Sequence, residues 1–306
     1  MSLLNRRLVV VTGKGGVGKT TVAAALGLLA ARRGKQVILC EVGGQARLPS
    51  LFGVPPAAGG ERRIAAGLAV ISIDPDSAKA EWLRRQLRSD TLAGILGRNS
   101  FFQLLTAAAP GLAELVMIGK VWDLAQLEGR TATARYDLAI LDAPPTGHGL
   151  ALLTAPRSYA NVARMGPIHR QALQIDRFLR DRGRTGVLGV ALAEEMPVNE
   201  TIELEARLTD NGLGLDAVVV NGLYPERFTS EDVKRISALD GRVPPGTRSA
   251  LRLARSEYGR ARGQRSQLRR LKRGLETPVA TLPFLFEPAL GPPELELLSR
   301  GPERLP

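Results

Sequence analysis

Cysteine, histidine and aromatic residues are scarce in this sequence. Among 306 residues there are one cysteine, Cys40, and two histidines. A disulfide framework or a metal clip of paired cysteines within one chain is therefore excluded. Aromatic residues make up only 4% of the chain, too few for a platform on which nucleic-acid bases stack. The composition thus argues against a nucleic-acid partner.

Long apolar segments are absent as well. No run approaches the roughly 18 consecutive apolar residues that a membrane-spanning helix needs, and residues 1–7 lack the apolar stretch of a secretion signal. We therefore expect a cytoplasmic protein. Hydrophobic residues nevertheless make up 44% of the chain, enough for residues 1–306 to form one large domain with a substantial core.

Short apolar runs recur between stretches of helical periodicity. They occupy residues 8–11, 37–40, 68–73, 138–141, 187–192, 217–220 and 279–282. Runs of this kind are buried on both faces, which indicates a mostly parallel sheet between two helix layers. The predicted fold is a doubly wound α/β domain, whose ligands bind at the carboxyl ends of the strands.

Residues 8–21 have the order strand, glycine-rich loop and helix start. They contain the phosphate-loop pattern G-x-x-x-x-G-K-[ST], in which backbone N–H groups surround a triphosphate. Lys19 is expected at the β- and γ-phosphates and the Thr20 hydroxyl on Mg²⁺, so the predicted ligands are ATP or ADP with Mg²⁺. The predicted nucleotide-binding residues of this segment are Gly13, Lys14, Gly15, Gly16, Val17, Gly18, Lys19, Thr20 and Thr21.

A second segment, residues 136–148, is predicted to be a buried strand that ends in a carboxylate. A site for Mg²⁺ and the γ-phosphate needs an acid that holds a water on the metal, and we assign this role to Asp142. The Pro-Pro-Thr-Gly-His turn that follows can move as one unit when the γ-phosphate leaves. For His148 a structural role in this turn is favoured over metal binding, because no second histidine or cysteine lies near it in the sequence.

Lys14, directly after the first glycine of the loop, has no role in an ordinary phosphate loop. The string Gly-Lys-Gly-Gly-Val-Gly-Lys-Thr at residues 13–20, together with Asp-Ala-Pro-Pro-Thr-Gly-His at residues 142–148, resembles the arsenite-pump and tail-anchored-protein-targeting ATPase family. The resemblance implies a homodimer, or a heterodimer with a related ATPase subunit. In such a dimer Lys14 crosses the interface to the partner's phosphates and contributes to catalysis as an arginine finger does.

Two later segments are also similar to that family. Residues 219–223 resemble a strand end at which the family contacts adenine, which implies this role for Asn221. Residues 281–285 resemble its base-covering loop, which implies nucleotide binding by Pro283 and Phe284. The implied activity is Mg²⁺-dependent ATP hydrolysis coupled to the handling of a client, with a hydrophobic peptide or a membrane protein as the kind of client.

Two departures from the family pattern affect the expected chemistry. The family's first switch carries an aspartate that polarises the attacking water, and ungapped alignment places Gly43 at that position. Glu41 is the candidate substitute if the turn is shifted. Without a general base, the hydrolysis rate would fall by about 10²–10⁴. The alternative is a nucleotide-gated regulatory subunit of a heterodimer that hydrolyses ATP slowly or not at all. With Cys40 alone, the family's cysteines for a metalloid or for an interface zinc are missing.

Helical periodicity interrupts the strand pattern over residues 76–130 and 156–185. These stretches predict a helical subdomain at which a client binds, although helices that simply cover the sheet explain the pattern equally well. The nucleotide-binding core then comprises residues 6–75, 131–155, 186–225 and 277–306.

Residues 242–275 are strongly basic, with apolar residues at helical spacing, which predicts a long amphipathic helix. The net charge is +12, but only seven of the 42 basic residues are lysine, a bias typical of GC-rich genomes. A solvated arginine face is therefore the simpler interpretation. An anionic membrane surface as partner stays open, as does a switch that positions itself on membrane or DNA like the partition ATPases, which share the deviant loop.

Overall fold

A computed structural model describes residues 3–43, 47–55, 60–87, 111–126, 135–162, 165–239 and 243–301. Its strands, in chain order, are β1 Leu8–Thr12, β2 Val37–Val42, β3 Arg62–Ala65, β4 Leu68–Ile73, β5 Leu138–Asp142, β6 Thr185–Leu192, β7 Ala217–Leu223 and β8 Val279–Pro283. They form one sheet in the order β3-β4-β2-β5-β1-β6-β7-β8.

Every neighbouring pair in this sheet is parallel except β3 with β4. The predicted doubly wound α/β fold is therefore confirmed, and each of the seven predicted apolar runs lies in a strand. Strand β3 was not predicted, because Arg62 and Arg63 at this sheet edge interrupt any apolar run. Strand β1 lies at the middle of the sheet, so the loop that follows it opens at the centre of the carboxyl edge.

The helices of the described residues flank the sheet on both faces. They are α1 Lys19–Arg32, α2 Arg47–Leu51, α3 Pro75–Leu87, α4 Leu112–Ala125, α5 Thr146–Val162, α6 Pro167–Arg180, α7 Glu195–Asp210, α8 Ser230–Ala238, α9 Pro245–Gly274 and α10 Pro292–Leu298. Alternate residues of the strands point into two separate cores. Val9 and Leu39 pack with α1, α2 and α10, whereas Val10 and Ile38 pack with α4 to α7 and with α9.

The helices of the predicted subdomain include α4, which contributes directly to the main core. Its residues Ile118 and Val121 are fully buried in the same cluster as Ile38 and Leu141. Helix α3 packs on α4, and α6 packs on α4, α5 and β6. Residues 88–110 and 127–134 lie outside the described part, so the division into a core and a helical subdomain stays a prediction. None of the described helices is long and apolar enough to cross a membrane.

Candidate nucleotide-binding site

The glycine-rich loop between β1 and α1 needs glycine for steric reasons. Gly13 has φ +147°, and a Cβ there would lie 2.2 Å from the Val190 carbonyl oxygen on β6. Gly18 has φ +90°, and a Cβ there would lie 2.2 Å from Nδ2 of Asn221. No side chain caps the N-terminus of α1, whose first N–H groups therefore stay available to an anion. The loop and the helix start together form a phosphate cradle.

The side chain of Lys19 belongs to this cradle. It is buried, and its Nζ donates to the Lys14 carbonyl oxygen at 2.9 Å, so the ammonium bridges the loop. Burial lowers the pKa of Lys19, while the nearby charge of Asp142 acts in the opposite direction. A desolvated cation at the base of an anion cradle is well placed to bind phosphate oxygens.

Thr20 and Asp142 meet at the start of α1 although they are 122 residues apart. The Thr20 hydroxyl donates to Oδ2 of Asp142 at 2.7 Å. The other oxygen of this buried carboxylate, Oδ1, has no hydrogen-bond partner. Burial raises the pKa of Asp142 to about 6, against the opposing effects of the Thr20 hydrogen bond and the Lys19 charge. A hydroxyl beside an unpartnered carboxylate oxygen is an oxygen donor set that fits Mg²⁺ and its waters.

A second buried carboxylate, Glu41, lies beside Asp142. The two residues pair in register on the adjacent strands β2 and β5. One oxygen of Glu41 accepts the Arg47 backbone N–H at 2.8 Å, and the other accepts the Ser72 hydroxyl at 3.4 Å. Glu41 therefore fixes the start of α2 at the edge of the site.

Gly43 lies just beyond the end of β2 with φ +104°, and a Cβ built on it would meet nothing within 4 Å. The position is open but favours glycine, because other residues rarely adopt this φ. Residues 44–46 of the same turn lie outside the described residues.

These groups surround one cavity of about 690 Å³, within the range expected for ligand pockets. Its lining consists of Gly15, Gly16, Gly18, Lys19, Thr20, Thr21, Glu41, Val42, Gly43, Arg47, Ser50, Leu51, Asp142, Ala143, Pro144 and Pro145. The Thr146 N–H donates to the Gly13 carbonyl oxygen at 3.1 Å, which ties the turn after Asp142 to the phosphate loop. His148 is exposed in the first turn of α5.

The residues predicted for the base lie at the carboxyl ends of β7 and β8. Nδ2 of Asn221 donates to the Val17 carbonyl oxygen at 3.0 Å, so this amide holds the phosphate loop. Phe284 follows Pro283, its N–H donates to the Leu223 carbonyl oxygen at 2.9 Å, and its ring stacks on Tyr224 at a centroid distance of 4.5 Å. Tyr224 was not predicted as part of this site, because it belongs to no motif.

Lys14 has a partner that sequence reasoning missed. Its Nζ forms an ion pair with Oε1 of Glu200 on α7 at 2.6 Å and also contacts the Met196 sulfur. Both side chains of the ion pair are about one third exposed. Glu200 is one of several acidic residues in α7, so nothing in the local sequence distinguishes it. In this structure Lys14 is therefore held within its own chain.

A central strand, a glycine loop and a helix start, with Lys19 and the Thr20–Asp142 pair at the carboxyl edge, define the site of a P-loop nucleoside triphosphatase. A sequence model of the anion-transporting ATPase family matches residues 6–173 and 162–240. The chain therefore belongs to the anion-transporting ATPase family, as the resemblance implied.

Individual relatives agree with this assignment. The chain is 32% identical to the ATPase BagA of Mycobacterium tuberculosis over 242 residues, which are 78% of this chain and 70% of that protein. It is 27% identical to an arsenical pump-driving ATPase of Acidiphilium multivorum, over 72% of this chain and 40% of that protein. It is 24% identical to the ATPase ASNA1 homolog 1 of Paramecium tetraurelia, over 71% of this chain and 75% of that protein.

The buried carboxylate leads to a first prediction, on stability. Because burial raises the pKa of Asp142 to about 6, the ligand-free folded state binds a proton more tightly than the unfolded chain does. The ionised carboxylate thus costs the fold free energy above pH 6, up to about 3 kcal/mol, and the cost vanishes as the pH falls below about 4. Asp142→Asn should therefore melt at a higher temperature than the wild type at pH 8.

Thermal unfolding in chelator, from pH 8 down to pH 4, measures this difference. The gain should shrink steadily as the pH falls, and Asn keeps an oxygen that can accept the Thr20 hydrogen bond. Asp137→Asn is a matched control on an exposed residue of the same segment. A lower melting temperature of Asp142→Asn at pH 8 would contradict the prediction.

Proposed function

We propose that this protein is a Mg²⁺-dependent ATPase that works as a dimer and couples ATP binding and hydrolysis to the handling of a client. The observation that carries the proposal is the convergence of Lys19, Thr20 and Asp142 on one cavity at the centre of the sheet edge. Membership of an ATPase family supports hydrolysis as the activity. A cytoplasmic location remains our expectation.

The roles of the residues follow from their positions. The N–H groups at the start of α1 and the Lys19 ammonium would hold the β- and γ-phosphates. Thr20 and, through a water, Asp142 would hold Mg²⁺, which when bound neutralises charge on the phosphates. Glu41 faces the same cavity and would orient the attacking water. Asn221 would keep the loop in shape through Val17, with Pro283 and Phe284 near the base.

The client is proposed to be something other than a metalloid. Some relatives are described as arsenical pump-driving ATPases, and binding a soft metalloid requires thiolates. Here the single cysteine, Cys40, is fully buried in the sheet, and burial raises the pKa of its thiol. An apolar client is supported by Val162 and Met165 at the junction of α5 and α6, whose relative exposures are 81% and 87%.

A second candidate function rests on Gly43. Its open, left-handed position carries no acid, so the protein can also be proposed as a nucleotide-gated binding or regulatory subunit with slow turnover. The two functions differ in the hydrolysis rate of the purified protein.

Turnover of the wild type decides between them, and Glu41→Gln tests the residue proposed to orient the water. We expect the wild type to hydrolyse ATP with Mg²⁺, and Glu41→Gln to lower turnover by about 10²–10⁴ while ATP affinity stays nearly unchanged. Glutamine keeps an oxygen for the Arg47 N–H, so the start of α2 is preserved. Turnover and calorimetric ATP binding are measured together, with the molecular mass recorded under each nucleotide.

Ser72→Ala is a matched control, because it removes only the long 3.4 Å contact with Glu41. If Glu41→Gln hydrolyses ATP as fast as the wild type, Glu41 does not orient the water. If the wild type binds ATP but stays idle as a homodimer, the regulatory function is supported and the ATPase function is overturned for the isolated chain.

A further inference from the structure

Helix α9 is unusual in length and charge. It runs for 30 residues, about 45 Å, and carries ten basic residues and one acidic residue, Glu257. The nucleotide site uses none of these charges. Some of these charges take part in the packing of α9, and others are exposed along its outer side.

The inward side of α9 is fixed to the rest of the protein. The buried residues of the helix, Ala261, Leu268 and Leu271, lie on this inward side. Glu257 forms an ion pair with Arg227 at 3.4 Å, so the single acid of the helix is used on this side. Arg265 forms an ion pair with Glu226 at 2.8 Å.

Gln264 also faces inward, where it accepts the Tyr224 N–H and donates to the Gly222 carbonyl oxygen. The helix is thus anchored beside β7, next to the segment that carries Asn221. Its orientation is set by these contacts, which leaves the opposite side facing solvent.

The outward side is a stripe of exposed arginines. Arg255, Arg262 and Arg269 recur every seven residues, which places them on one side of the helix about 10.5 Å apart. Arg252 and Arg273 lie in the adjacent row and extend the stripe to about 32 Å. We call these five residues the arginine stripe. The positions within and beside it are small, namely Ser256, Gly259, Gly263 and Ser266.

We propose that the arginine stripe binds an anionic lipid surface. A straight helix side presents collinear cations to a plane, and the small residues between them allow headgroups to approach the guanidinium groups closely. The proposal does not depend on ATP hydrolysis.

A lipid surface fits this stripe better than a nucleic acid does. A single strand is bound largely by stacking its bases on aromatic side chains, and the phosphates of a duplex follow its curved grooves rather than a plane. The outward rows of α9 consist of arginine, glycine and serine, while Gln264 is turned inward. Phosphates arranged on a plane are the simpler match for five arginines along one side of a straight helix.

The test measures sedimentation of the full-length protein with vesicles of phosphatidylcholine containing about one third phosphatidylglycerol. The wild type should bind these vesicles but not pure phosphatidylcholine, and binding should weaken as salt is added. The triple variant Arg255→Gln, Arg262→Gln, Arg269→Gln should lose about 10- to 100-fold in apparent affinity. Its helix content and ATP binding should stay unchanged.

The matched control removes three exposed arginines outside α9, at Arg157, Arg170 and Arg182, and should bind like the wild type. If the triple variant and this control lose affinity equally, the effect is one of net charge and the proposal is overturned. It is also overturned if the wild type ignores anionic vesicles, or if duplex DNA binds the stripe more tightly than vesicles at the same ionic strength.

Discussion

Lys19→Ala is expected to lower ATP affinity by about 100-fold or more and to abolish measurable turnover. The ammonium is buried at the base of the cradle, where it is 8% exposed and bridges the loop to the Lys14 carbonyl oxygen. A charge-assisted hydrogen bond to phosphate in such a place contributes about 1.5–3 kcal/mol, and a second contact formed at the γ-phosphate adds to it in the transition state. Affinity and rate should both fall.

The same substitution should leave the ligand-free fold intact. Burial lowers the pKa of Lys19, so the charged form costs free energy on folding at every pH below that pKa. Removing the side chain should therefore hold or raise the melting temperature, which separates loss of binding from loss of folding. Calorimetry with Mg-ATP and thermal unfolding measure the two effects.

Lys234→Ala, on the exposed side of α8, is the matched control and should change neither quantity. If Lys19→Ala binds ATP within about threefold of the wild type, Lys19 does not hold the phosphates. The proposed nucleotide site would then be wrong at its central residue.

The parts of the site that the sequence predicted are those in which local pattern and function require the same residues. Gly13 and Gly18 must be glycine because neighbouring backbone and amide atoms occupy the space of a Cβ. Asp142 is the last residue of a fully buried strand, and parallel strands bring their carboxyl ends together. These constraints can be recognised in a single sequence, and they assigned Thr20 and Asp142 to the same predicted metal site; their direct hydrogen bond was seen only in the structure.

The parts that the sequence did not predict depend on side chains that have several physically equivalent interaction partners to choose from. The Asn221 amide can donate to a base or to the loop, and here it donates to Val17. Glu200 is one acid among several on α7, and only tertiary packing brings it to Lys14. The edge strand β3 carries the polar residues Arg62 and Arg63. Its strand conformation therefore depends on pairing with β4, and its own composition does not predict it.

Lys14→Ala is expected to lower turnover by about 10³–10⁵ while ATP affinity changes little, if Lys14 acts on the partner's phosphates. In this structure Lys14 is paired with Glu200 within the chain, and the pair is partly exposed. An ion pair of this kind contributes at most about 1 kcal/mol, so a triphosphate on the partner subunit can displace it. Glu200→Gln should therefore keep turnover, or raise it by up to about fivefold.

A mixing experiment distinguishes action across the dimer from action within one chain. Lys14→Ala and Glu41→Gln are each expected to be nearly inactive, although both keep the groups that bind ATP. In a mixed dimer, the Lys14→Ala subunit keeps its own Glu41 and receives Lys14 from its partner, so one of the two sites is complete.

Random pairing should then restore about a quarter of wild-type turnover, since half of the dimers are mixed and each has one complete site. Lys14→Ala mixed with itself at the same total concentration is the control. If Lys14 acts within its own chain, every site in the mixture lacks either Lys14 or Glu41 and no activity returns. Restored turnover would show that the contact with Glu200 must open before the catalytic dimer can form.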